Sequence, residues 1–157
     1  MLKVYNYEIV FQEVPNEVTL AFNITGCPHR CMGCHSPFLR EDIGVPLKNV
    51  LPEILEKYKN YITCVCFMGG DQNHKEICEV CDIVKEYNIK TCMYSGDENI
   101  DKELLKHLNF YKIGGYKQEL GGLSCKETNQ RFYKINENEE LEDITYVFRQ
   151  KKTINDI

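Results

Sequence analysis

The hydrophobic positions of the chain fall into two periods, and each period predicts one kind of element. Val18–Ile24 is a short apolar run that reads as a first buried strand, with Val4–Val10 before it as a candidate edge strand. Over Pro46–Tyr61, Leu47, Val50, Leu51, Ile54, Leu55 and Tyr58 recur at helical spacing, with Pro46 near the first turn. Ile62–Phe67 is apolar and β-branched and stops at Met68-Gly69-Gly70, so it reads as a strand. His74–Tyr87 is helical again, with Ile77, Val80, Cys81 and Val84 on one stripe. Ile89–Tyr94 predicts a third strand stopped by Ser95-Gly96, Ile100–Leu108 a helix, and Phe110–Ile113 a fourth strand stopped by Gly114-Gly115. Phe132–Asn136 and Thr145–Phe148, around an acidic turn, are expected to pair as a hairpin or as edge strands.

Strand and helix alternate, so the expected fold class is α/β with a parallel sheet, in one domain over residues 1–157. The loops at Thr25–Pro37, Met68–Asp71, Tyr94–Gly96 and Gly114–Tyr116 each follow a strand. In a parallel sheet all four lie on one rim, where α/β folds build their sites. The 157 residues are too few for eight strand–helix units, which take about 250. The expectation is an incomplete barrel.

Composition narrows the function classes. Hydrophobic residues make up 43% and charged residues 27%, and the formal charge of −5 comes without a long basic run. Nucleic acid and anionic membranes need a positive footprint and are not expected partners; the short Arg149–Lys152 cluster reads as a solvated end. Met1–Val10 has no apolar run suited to a signal peptide or a membrane span, so the expected location is cytoplasmic. Nine cysteines in a reducing compartment point to metal ligation by some and burial of the rest.

The sharpest local pattern is Gly26-Cys27-Pro28-His29-Arg30-Cys31-Met32-Gly33-Cys34-His35. A [4Fe–4S] cube is usually held by four cysteines. Three thiolates, Cys27, Cys31 and Cys34, leave one iron with an open position that can chelate a small molecule through an amine and a carboxylate. A structural zinc site is the alternative. It would use the Cys31–Cys34 and Cys78–Cys81 pairs, or the loop cysteines with His29 or His35. Cys81 also fits the apolar stripe of its helix, Cys64 and Cys66 share a strand face with Ile62, Cys92 fits the third strand, and Cys125 in a loop is unassigned. Gly69 and Gly70 let the backbone approach a ligand closely. Asp71 is a candidate acceptor for a ligand ammonium or else a helix cap, and Ser95 is a candidate wall of the same site.

The cysteine loop resembles the signature of the radical S-adenosylmethionine superfamily. Gly33 before the third cysteine, the Gly69-Gly70-Asp71 turn, Glu119-Leu120-Gly121-Gly122-Leu123 and Thr128-Asn129-Gln130-Arg131-Phe132-Tyr133 resemble the anaerobic ribonucleoside-triphosphate reductase activating proteins over about residues 6–148. Ser36-Pro37 departs from the family, which often has an Asn-containing run there. The resemblance implies a partial barrel of the radical S-adenosylmethionine type, a [4Fe–4S] cluster on Cys27, Cys31 and Cys34, and S-adenosylmethionine contacts from Gly33, Cys34, His35 and Gly70. It implies an enzyme to which flavodoxin or ferredoxin supplies an electron. It further implies that S-adenosylmethionine is cleaved to methionine and a 5′-deoxyadenosyl radical, which takes a hydrogen atom from a glycine of the reductase large subunit. Rival readings are an activase of another glycyl-radical enzyme, a small-molecule radical enzyme, or a zinc or iron–sulfur module without catalysis. Asn129–Arg131 receives no definite role, being either a partner contact or an anchor for the last strand.

Overall fold

The structure is a computed structural model and describes residues 1–29 and 37–149. In chain order its elements are β1 (Lys3–Val10), β2 (Thr19–Ile24), β3 (Val45–Pro46), α1 (Leu47–Tyr58), β4 (Cys64–Met68), α2 (His74–Lys85), β5 (Lys90–Tyr94), β6 (Phe110–Ile113), β7 (Arg131–Ile135) and β8 (Leu141–Asp143), with 3₁₀ turns at Pro37–Arg40, Lys102–Leu104 and Thr145–Arg149. The strands form one sheet in the order β3-β1-β2-β4-β5-β6-β7-β8. The central four, β2, β4, β5 and β6, run parallel, with Ala21 opposite Cys66 and Cys66 opposite Cys92. Antiparallel strands flank them on both sides. No helix of the described residues is long and apolar enough to cross a membrane.

The parallel strands read as continuous apolar runs because both their faces are buried. On one face α1 contributes Leu47, Leu51 and Leu55, and α2 contributes Ile77, Val80, Cys81 and Val84. They pack on Leu20, Phe22, Val65, Phe67 and Met93. On the other, inner face Cys64, Cys66 and Cys92 meet Val14, Phe110, Phe132 and Ile144. Cys64 and Cys66 thus share a face, but Ile62 belongs to the helix side. Asn73 caps α2, its side chain accepting from the Glu76 N–H at 3.1 Å. Asp71 is therefore not the helix cap.

Three segments depart from expectation. The helix expected over Ile100–Leu108 shrinks to the 3₁₀ turn Lys102–Leu104. Asp101 starts that turn by accepting from the Glu103 N–H at 3.0 Å, and the Asn109 side chain already accepts from the Thr91 N–H at 2.9 Å. About two turns remain between them, too short for a stable α-helix. Thr145–Phe148 is not a strand. Asp143 Oδ1 accepts from the Thr145 N–H at 2.9 Å and its hydroxyl at 2.6 Å, which turns the chain, and Leu141–Asp143 pairs with β7 instead. β1 is not the sheet edge either, because the two-residue β3 lies outside it.

Candidate functional site

The loops after β2, β4, β5 and β6 leave the parallel strands at one rim, as the strand direction requires. Backbone hydrogen bonds lace that rim: Gly69 N–H to the Tyr94 carbonyl at 3.0 Å, Ser95 N–H to Lys112 at 2.8 Å, and Gly114 N–H to Asp97 at 2.7 Å. At the end of β2, Thr25 Oγ1 donates to the Ile43 carbonyl at 2.6 Å, and the Cys27 N–H donates to Leu39 at 3.0 Å. These ties set Cys27 half-buried at the mouth of a cavity of about 200 Å³, which it lines with Arg40, Gly69, Gly70, Ser95 and Lys112.

Gly70 has φ +109°, and a Cβ there would lie 2.6 Å from Ile77 Cδ1. Glycine is demanded at this position by the packing of α2 against the turn, and the backbone itself faces the cavity.

Asp71 organises the rest. Its side chain is 4% exposed. Oδ1 accepts from Ser95 Oγ at 2.7 Å and pairs with His74 Nε2 at 3.0 Å. Oδ2 accepts from the Gly96 N–H at 2.8 Å and pairs with His29 Nε2 at 2.8 Å. All four acceptor positions of the carboxylate are engaged, so Asp71 here joins the ends of β2, β4 and β5 to the start of α2. His29 also lies 3.2 Å from Asp97 Oδ1, so its ring bridges two carboxylates, and the three ligand atoms lie within 4.8 Å of one another. Gly96 has no room for a side chain because the His29 ring packs on it: a Cβ would sit 2.5 Å from Cδ2.

The electrostatics follow from these contacts. Burial opposes ionisation of Asp71, but its hydrogen bonds from Ser95, His74, Gly96 and His29 outweigh that cost and hold the carboxyl below the ordinary range. Burial likewise opposes charging of His74, yet its bonds to Asp71 and, through Nδ1 at 2.6 Å, to Asp101 push its pKa up. Asp101 is lowered by the same bond, while burial and the neighbouring Asp71 raise Asp97. The stability that the charged His74 contributes is complete below its unfolded pKa of about 6.5 and is lost as pH rises through the higher folded value. Thermal midpoints should therefore fall on that alkaline side for the wild type and stay flat there for His74→Gln. A difference of about 1 kcal/mol amounts to roughly 2–4 °C at this chain length. Parallel profiles for the two proteins would remove His74 as the titrating group.

A second, wider groove of about 1020 Å³ adjoins the first and shares its His29, Gly96, Gly115 and Tyr116 walls. Its far wall is the loop after β6, which the segment Thr128–Gln130 fastens. Asn129 Nδ2 donates to the Gly115 carbonyl at 3.0 Å, Gln130 Nε2 to Gly114 at 3.4 Å, and Thr128 Oγ1 to Gly121 at 3.0 Å. Asn129 and Gln130 thus anchor the rim, which gives this segment a structural role. Arg131 lies 3.8 Å from Asp143, both half-exposed.

Of the residues singled out from sequence, Cys27, Gly69, Gly70, Asp71 and Ser95 converge on one cavity. Cys31, Gly33, Cys34 and His35 lie outside the described residues. Sequence reasoning missed His74, Asp97, Asp101 and Lys112, and weighed His29 only as a zinc ligand. The i, i+3 spacing of Asp71 and His74 across a strand-to-helix turn was the available signal. Donor chemistry fits a thiolate-held cluster. Cys27 is the half-buried thiol at the rim, whereas burial pushes the Cys64, Cys81 and Cys92 thiols well up and keeps them neutral. Cys81 is fully buried in the helix-side core, which removes it from the zinc alternative. No curated protein and no solved structure matches the chain. Residues 17–135, most of the sheet and the whole rim, match the family model described as the 4Fe-4S single cluster domain. That match spans more than half of the sequence, and the chain belongs to the 4Fe-4S single cluster domain family.

Proposed function

We propose that this iron–sulfur protein is an activating enzyme of the radical S-adenosylmethionine type. On this reading it holds a [4Fe–4S] cluster on Cys27, Cys31 and Cys34, binds S-adenosylmethionine beside it, and generates a glycyl radical on the large subunit of an anaerobic ribonucleoside-triphosphate reductase. The sheet is then the open part of an incomplete parallel β/α barrel. One juxtaposition carries the reading: the cavity lined by Cys27, the glycine turn and Ser95 shares a wall with a far larger groove along the rim. A groove of about 1020 Å³ that shares this cavity's wall and runs along the rim suits a loop of a partner protein that plugs the open side.

When bound, the cluster and its sulfonium cofactor supply the low-potential electron and the radical chemistry. The chain's residues position and exclude. Cys27 contributes one thiolate. Gly69 and Gly70 present backbone groups to the cavity, and Ile24, Met68 and Tyr94 form its apolar wall and keep water out. Asp71 holds His29, and with it the first residues of the cysteine loop, against Gly96. Tyr116 and Gly115 stand between cavity and groove, where a glycine of the partner would come within reach.

The reduced protein, mixed anaerobically with S-adenosylmethionine and the reductase large subunit, should give an electron paramagnetic resonance doublet from one α-hydrogen. The signal should vanish when the C-terminal radical glycine of the reductase is changed to alanine, and ribonucleotide reduction should require prior activation. Pyruvate formate-lyase in place of the reductase should stay silent. A doublet on that lyase alone would assign the chain to another activase, and absence of S-adenosylmethionine cleavage by the iron-loaded protein would leave an iron–sulfur module without this catalysis.

A further inference from the structure

Three rim loops each bring one metal-ligating side chain to a common point: His29 from the loop after β2, Asp71 from the turn after β4 and Asp97 from the loop after β5. His29 Nε2 lies 2.8 Å from Asp71 Oδ2 and 3.2 Å from Asp97 Oδ1, and the three donor atoms are within 4.8 Å of one another. Hydrogen bonding accounts for only part of this. An imidazole nitrogen carries at most one hydrogen, and a straight hydrogen bond reaches one oxygen. Two carboxylate oxygens held this close also repel each other unless positive charge lies between them. With metal–ligand bonds of about 2.0–2.2 Å, neighbouring donor atoms on one ion stand about 2.8–3.6 Å apart. Both contacts of His29 Nε2 fall in that range.

We propose that His29 Nε2, Asp71 Oδ2 and Asp97 Oδ1 form a binding site for a divalent first-row metal ion. The ion takes the place of the hydrogen between Nε2 and the two oxygens, the neutral ring keeping its one proton on Nδ1. Its two positive charges match the two carboxylates. One imidazole with two carboxylates is a hard-to-borderline donor set, suited to Mn²⁺, Fe²⁺ or Zn²⁺ and not to soft ions. The surroundings fix the donors as outer partners of a metal site do. Gly96 leaves the space in which the His29 ring lies, and its N–H still donates to Asp71 Oδ2 at 2.8 Å. Asp71 Oδ1 is held by Ser95 Oγ at 2.7 Å and by His74 Nε2 at 3.0 Å, and His74 is itself braced by Asp101. His74 is thus a positioning residue. His29 and Asp97 line the groove of about 1020 Å³, so the coordination positions that the chain does not fill open on it, where water or a ligand oxygen completes the shell. The site needs no cysteine, and the inference does not rest on the proposed activase reaction.

The test is a titration of the anaerobic, iron-loaded full chain with Mn²⁺, before any reductant is added, with free Mn²⁺ read by its electron paramagnetic resonance signal. Manganese is the probe because thiolates compete poorly for it. One Mn²⁺ per chain should bind saturably. Asp97→Asn keeps the shape of a half-exposed side chain and removes its charge, and should weaken binding about tenfold or more. Glu98→Gln removes the same charge from the next position on the groove wall and should bind as the wild type does. Pulsed resonance of the bound ion should show coupling to an imidazole nitrogen that His29→Gln abolishes. Absence of saturable binding overturns the proposal, and so does an Asp97→Asn variant of wild-type affinity. Equal losses in Asp97→Asn and Glu98→Gln would reduce the site to a diffuse acidic field, and nitrogen coupling that survives His29→Gln would remove His29 from the ligand set. S-adenosylmethionine and the reductase play no part in the measurement, so failure of the proposed function would be seen separately.

Discussion

Replacing Cys27, Cys31 or Cys34 by alanine should take the anaerobically reconstituted protein from about four irons per chain, the content of one cubane, to nearly none. Two thiolates cannot hold a cube against water and chelators, so loss should be all-or-none, with bleaching of the brown colour and of the reduced-state resonance. Cys78→Ala and Cys81→Ala should keep the full iron content. Cys81 lies in the apolar contact of α2 with the sheet, so its loss should cost about 1 kcal/mol of stability and leave the cluster in place. Cys78 is half-buried at the helix surface, its Sγ 3.7 Å from the Glu103 carbonyl, and burial raises its pKa. Iron and zinc analysis of the five variants decides the matter. Stoichiometric zinc that disappears with Cys78 would overturn the assignment of the loop to an iron–sulfur cluster.

Asp71→Ala should be the most damaging single change outside the cysteines. It leaves His29, His74, Ser95 and the Gly96 N–H without their shared acceptor inside a largely buried site. Breaking a buried charged network by removing one member costs about 3–5 kcal/mol, a large part of the roughly 5–15 kcal/mol that holds a domain folded. Two readouts should move together: the thermal midpoint, and the rate at which the reconstituted protein loses iron to a chelator, because His29 and the loop that follows it lose their tether. Asp71→Asn should fall between, since its amide oxygen can serve one pair of donors while its NH₂ opposes the other. An alanine variant with wild-type midpoint and wild-type iron retention would show that the His29–Asp71–His74 assembly carries no load at the rim.

The parallel strands and the rim loops were legible because their determinants are local. A strand buried on both faces is a continuous apolar run, as over Leu20–Phe22 and Val65–Phe67, and each run ends on glycines that stop it. The helix at His74–Lys85 was legible from its stripe. Where side chains of distant segments decided the outcome, the local pattern gave no warning. Asp101 binds His74 across 27 residues and starts a turn where periodicity favoured a helix. Thr145 accepts from the Phe132 N–H at 2.8 Å and bends the chain where a strand was expected. The pair Val45–Pro46 is too short to carry a period at all. At the site, the cysteines and the Gly-Gly-Asp turn advertise themselves by spacing and backbone need. The histidines and Lys112 do not, because their meaning depends on the ends of other strands: His29 meets Asp71 across 42 positions, and Lys112 reaches Ser95 across 17.

The fastening of Gly114 and Gly115 by Asn129 and Gln130 has a consequence in time. A ribosome delivers the thiols of residues 27–34 early and the side chains that secure the opposite wall roughly 100 residues later, an interval of about 5–20 s at ordinary rates of synthesis. During that interval the nascent chain presents its thiols without a finished rim beside them. A cluster held by them, as proposed, would find the rim closed only once translation has passed residue 130.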